Sequence, residues 1–161
     1  MTLAQRFAQT FGAIYLLVGI IGFIPPLLIG SVPGAIGPFA GFSVALFAVN
    51  WFHSLAHLLI GAAGLASYRN ANSASAYALA LGVAYTLLFV VGLIWGIRFL
   101  GGLLPLNGWD HILHLLTALV AFGAYFGFRR GVASRTTYRK CSNDVVKRLP
   151  EAPLQRLRLL S

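Results

Sequence analysis

Apolar residues gather in four long windows, roughly Ala8–Ile24, Trp51–Tyr68, Tyr77–Leu100 and Trp109–Phe128, parted by segments rich in polar residues, glycine or proline. A helix needs about 20 mostly apolar residues to cross the hydrocarbon core of a bilayer, and each window is close to that length. The breaks have local causes. Pro25 and Pro26 cannot extend a helix without losing backbone hydrogen bonds, and Ser31–Gly41 is uncharged and dense in glycine and proline. Arg69–Ser75 reads as a short polar turn, and Gly101, Gly102 and Pro105 interrupt the pattern between the last two windows. The pattern therefore predicts an all-α integral membrane protein with four transmembrane helices.

Composition strengthens that reading. Of the 161 residues 58% are hydrophobic and 9% charged, against about 45–50% and about 25% in an ordinary soluble domain. Charge is concentrated at one end: nine of the 12 Lys and Arg lie from Arg129 onward, beside only Asp144 and Glu151. This divides the chain into a four-helix domain, 1–128, and a basic tail, 129–161, expected to be weakly ordered. Arg6, Arg69 and the tail fall on one side of the four spans and only Arg98 on the other, so the positive-inside rule places both termini in the cytoplasm of a multi-pass cell-membrane protein, as in a bacterial inner membrane. A basic tail beside an apolar helix favours anionic lipid over nucleic acid as its partner, and the leucines of Leu154–Leu160 suit an interfacial segment. The lone cysteine, Cys141, excludes an intramolecular disulfide and any cysteine-based metal motif.

The windows repeat in pairs. Gly12, Tyr15, Leu17, Gly22 and Ile24 of the first align with Gly82, Tyr85, Leu87, Gly92 and Ile94 of the third at an offset of 70, while Asn50, His57, Leu58 and Leu59 align with Asn107, His114, Leu115 and Leu116 at an offset of 57. In the second alignment His53 falls on Asp110. Two spans per unit make both units enter the membrane in the same sense, which predicts two tandem helical hairpins about a pseudo-two-fold axis along the membrane normal. The repeat also argues against a cleaved signal peptide at the first span.

The shared pattern N-x-x-[HD]-x-x-x-H-L-L puts Asn50, His53 and His57 on one helix stripe and Asn107, Asp110 and His114 on another. The first stripe continues into Gly61 and Gly64 and the second into Thr117, Ala118 and Ala121. Small and polar residues sharing a face in lipid mark a helix interface, so both stripes should point inward and meet. Three chemistries suit them. Asn50 and Asn107 are candidate N-caps, with Asp110 favoured by the positive end of the helix dipole, and His57 and His114 would then be interhelical hydrogen-bonding groups contributing about 0.6 to 2 kcal/mol each. Alternatively, His53, His57, Asp110 and His114 supply three imidazoles and a carboxylate suited to zinc or another divalent metal. A haem would instead take His57 and His114 as axial ligands.

The residues AVNWFHSLAHLLIGAAGL (Ala48–Leu65) and LLPLNGWDHILHLL (Leu103–Leu116) resemble the paired motifs of a bacterial membrane family known as domain of unknown function 4383. The likeness covers about Ala8–Phe128. It departs from the family pattern at Ser54 and His111, where an asparagine often stands. The resemblance implies a four-span fold and supplies no activity.

Further positions refine the expected bundle. Counting helix rise from the expected ends places Tyr15 and His57 at opposite depths, about 10 Å from either face of a core about 30 Å thick, so the tyrosines should not touch the histidines. Gly92 with Gly96 and Gly123 with Gly127 have G-x-x-x-G spacing suited to internal packing or dimerisation, and Trp51, Trp95 and Trp109 suit an interfacial aromatic belt. With no nucleophile motif or phosphate loop, the chain reads best as a non-catalytic membrane module or accessory subunit, working with a membrane-protein partner or as a homo-oligomer. The alternatives are a metal- or haem-binding redox protein and a small carrier or channel formed by an oligomer.

Overall fold

A computed structural model describes residues 1–23, 29–31, 42–44, 47–95 and 108–148. It contains four helices, α1 (Leu3–Ile21), α2 (Trp51–Ser67), α3 (Ala71–Trp95) and α4 (Gly108–Arg148), and three short strands between α1 and α2: β1 (Ile29–Ser31), β2 (Phe42–Val44) and β3 (Phe47–Val49). Three of the helices, α1, α3 and α4, are long and apolar enough to cross a membrane. The fourth, α2, has 17 residues.

Capping explains where the helices begin. Thr2 and Gln5 form a reciprocal box, with the Gln5 amide donating to Thr2 Oγ1 at 3.2 Å and the Thr2 amide donating to Gln5 Oε1 at 2.9 Å. This starts α1 at Leu3, five residues before the apolar window. Asn50 caps α2, its Oδ1 accepting from the His53 amide at 2.8 Å, as expected from the motif; Asn107 lies outside the described residues. The expected seven-residue turn after α2 is shorter. Asn70 Oδ1 accepts from the amides of Asn72 and Ser73 at 2.9 and 3.1 Å, so α3 begins at Ala71, six residues ahead of the expected start.

The strands were not foreseen. They form an antiparallel sheet in the order β1-β2-β3, with Phe42 opposite Val49 and Val44 opposite Phe47, and an irregular register between β1 and β2. Each is three residues long, too short for its alternation to stand out within an apolar chain. The proline- and glycine-rich residues 32–41 between β1 and β2 lie outside the described residues.

The chain divides into two compact units, Met1–Phe128 and Arg129–Ser161. In the first, α1 packs against α2 and α3. Gln5 Nε2 donates to the Arg69 carbonyl at 3.1 Å, so the start of α1 and the α2–α3 turn, with Arg6 and Arg69, lie at the same end. Contact between α1 and α2 is close because glycines line both surfaces: a Cβ on Gly12 would stand 2.8 Å from the Leu65 nitrogen, and one on Gly64 would stand 2.8 Å from the Gly12 Cα. Near that end the core is made of small and aromatic residues, among them Ala4, Phe7, Ala8, Ala74, Tyr77, Ala78, Ala121 and Ala124. Long apolar side chains face outward instead, as lipid requires: Leu17, Leu59, Leu87, Leu93 and Leu119 are all exposed. Trp51, Trp95 and Trp109 are exposed too.

The second unit differs in character. Helix α4 runs on to Arg148, and its side chains from Arg129 to Lys147 are exposed. The expectation of weak order set no helix there; residues 149–161 lie outside the described residues.

Candidate functional site

Burial along the chain follows the sequence repeat. Ala4, Ala8 and Tyr15 are buried on α1, and their counterparts 70 residues on, Ala74, Ala78 and Tyr85, are buried on α3. Phe7 and its counterpart Tyr77 are also both buried, and their rings touch with centroids 6.1 Å apart. On α2 the buried positions are His53, His57, Gly61 and Gly64, and at the 57-residue offset Asp110, His114, Ala118 and Ala121 are buried on α4. The inward stripes expected from the motifs are thus the buried faces of their helices.

The described polar side chains on these stripes are buried. The His53 and His57 rings, one helical turn apart, have centroids 4.5 Å apart. Asn50, Ser54, Asp110 and Thr117 are buried as well. Of the six residues singled out from the sequence, Asn50, His53, His57, Asp110 and His114 are buried, while Asn107 is outside the described residues. Among the described residues no group of three or more His, Cys, Asp or Glu side chains is gathered to hold a metal ion.

Two tyrosines link these histidines into one cluster, against expectation. The Tyr15 ring lies 5.2 Å from that of His57, and the Tyr85 ring 5.1 Å from that of His114. Tyr15 and Tyr85 also touch each other at 5.6 Å, and the Tyr15 hydroxyl shares a 3.2 Å hydrogen bond with Thr117 Oγ1. Helix ends explain the error in depth. Because α1 starts at Leu3, Tyr15 lies about 18 Å along it, while His57 is about 15 Å from the far end of α2, so the two levels agree within a few ångströms. The signal was present in the sequence, since Tyr15 and Tyr85 are repeat equivalents on the same faces as Gly12 and Gly82.

Two imidazole nitrogens in the cluster lack partners. His57 and His114 are only 7% and 2% exposed, yet His57 Nδ1 and His114 Nδ1 have no hydrogen bond, as is also true of Ser54 Oγ. A buried polar atom left without a partner costs about 1–3 kcal/mol, and the usual resolution is a water, an ion or a functional role. The close packing beside Ser54 has a visible origin, because a Cβ on Gly22 would collide with the Ser54 side chain.

The glycine expectations divide. Gly127 approaches Leu3 Cδ1, whereas Gly123 faces open space and takes no part in internal packing. Gly96, the second member of the other pair, is outside the described residues. A family model described as Domain of unknown function (DUF4383) matches the chain over residues 5–128. No curated protein and no solved structure matches the chain.

Proposed function

The chain belongs to this family, and from that premise we propose that it is a non-catalytic four-span membrane module or accessory subunit, in which two repeat-related helical hairpins are locked together by a polar and aromatic interior. One observation carries the reading: the contacts Tyr15–His57 and Tyr85–His114, at 5.2 and 5.1 Å, are the same contact made once in each repeat. A pseudo-two-fold arrangement accounts for that duplication, and Tyr15 against Tyr85 and Phe7 against Tyr77 are then contacts between equivalent positions across the axis. In this reading α2 is the short fourth span. Its 17 residues reach about 26 Å, which a slightly thinned bilayer accommodates.

The polar residues Asn50, His53 and His57 face Asp110 and His114 across the bundle, with Asn107 as the counterpart of Asn50. In lipid such groups satisfy one another or stay unsatisfied, so their meeting fixes which helix faces join. A packed module is favoured over a carrier or channel by the other half of the bundle, which alanines and aromatic rings fill: Ala4, Ala8, Ala74, Ala78 and Ala121 are completely buried. Both termini are cytoplasmic, and the exposed basic residues of α4 beyond Phe128 attract anionic lipid at the inner leaflet.

Paired cysteines test the arrangement. In a Cys141→Ser background, His57→Cys with His114→Cys should cross-link with a short bifunctional reagent, whereas Leu55→Cys with Ile112→Cys, on exposed faces, should not. Equal reaction of the two pairs, or failure of both, would refute the paired-stripe module.

A further inference from the structure

Tyr15, His57, Tyr85 and His114 are four metal-ligating side chains, two from each repeat, in one buried cluster. The Tyr15 and Tyr85 rings touch, with centroids 5.6 Å apart, and each phenol ring lies against an imidazole. Both imidazoles have a buried Nδ1 without a partner. We propose that these four side chains form a binding site for one divalent transition metal of the copper class, with imidazole nitrogens from His57 and His114 and phenolate oxygens from Tyr15 and Tyr85.

The donor set carries the choice of ion. Carboxylates and thiols are not needed: two nitrogens and two oxygens in a roughly planar or tetragonal set suit Cu(II) or Ni(II). Charge is the deciding constraint, because an uncompensated dication is very costly in an apolar interior. Two phenolates cancel it. As each Tyr Oη–metal bond forms, the corresponding O–H bond breaks, both protons leave to solvent, and no electron is transferred. The resulting centre is neutral. Thr117 Oγ1, already 3.2 Å from the Tyr15 hydroxyl, is placed to donate to the phenolate and orient it. The Asp110 carboxylate and His53 imidazole, included in the metal set expected from the motifs, are not required.

The site occupies the same interior as the proposed module, and its test is separate from the cross-linking experiment: a failed copper titration leaves the helix pairing standing, and failed cross-linking leaves the titration readable. Full-length Cys141→Ser protein in detergent is titrated with Cu(II) and followed by visible absorption and electron paramagnetic resonance. One ion per chain should bind, with a phenolate-to-copper charge-transfer band and nitrogen hyperfine coupling from two imidazoles. Tyr15→Phe and Tyr85→Phe keep the rings that pack the core, so each should weaken the band while leaving the helical circular dichroism unchanged. His57→Ala or His114→Ala should lower affinity by about tenfold or more. No binding, binding without the charge-transfer band, a band indifferent to both Tyr→Phe changes, or binding abolished by His53→Ala but untouched by His57→Ala and His114→Ala would overturn the proposal.

Discussion

Adding a single methyl group at Gly61 and at Gly123 should move stability in opposite directions. At Gly61 the new Cβ would press into the α1 backbone, colliding with the Leu16 nitrogen and standing 2.7 Å from Leu16 Cα and 2.8 Å from the Gly12 carbonyl oxygen. Backbone cannot rotate away as a side chain can, so α1 and α2 must separate by roughly 1 Å to restore ordinary contact at about 3.5–4.0 Å. Overpacking of this kind costs about 1–3 kcal/mol, and the gain of about 1 kcal/mol from replacing glycine by alanine within a helix offsets part of it. Gly61→Ala should therefore be destabilised by a net of up to about 2 kcal/mol. At Gly123 the same methyl group meets nothing within 4 Å, leaving only the propensity gain of up to about 1 kcal/mol. Denaturation of the two variants and the unsubstituted protein in the same detergent, followed by far-ultraviolet circular dichroism, measures the order. If Gly61→Ala is as stable as Gly123→Ala, the close glycine contact between α1 and α2 is not what holds these helices together. The second repeat supplies an internal comparison, since Ala118 already stands at the position equivalent to Gly61 and is buried.

Two other outcomes follow from particular contacts. Asn50→Ala removes the cap that accepts from the His53 amide at 2.8 Å and should cost about 0.5–2 kcal/mol, with Asn50→Asp retaining most of the stability; equal stability of Asn50→Ala and the unsubstituted protein in the same denaturation assay would count against the cap. Reporter fusions after Arg69 and after Arg130 should both read cytoplasmic, given the eleven basic residues assigned to that side against Arg98 alone; a periplasmic signal from either would contradict the four-span topology.

The sequence by itself determined the helical class and the approximate place of the apolar part of each of the four helices, because apolar runs of this length have few uses outside lipid. It also determined which residues face inward on α2 and α4: the N-x-x-[HD]-x-x-x-H pattern, continued by Gly61 and Gly64 or by Ala118 and Ala121, recurs at helical spacing, and these are the buried positions. Helix ends were less legible. Thr2 with Gln5 and Asn70 with Asn72 and Ser73 extend α1 and α3 into polar sequence, since a cap stabilises a first turn whatever the hydropathy of its residues. That difference moved Tyr15 along its helix and brought it level with His57. Relative depth depends on where two separate helices start, and no single window contains that information. Only the tertiary structure decided that Tyr15 and Tyr85 join the histidines, that glycines bring the α1 and α2 backbones together, and that three short strands follow α1. Each of these depends on residues far apart in the chain meeting in space, where the shape of one surface determines what the other can place against it.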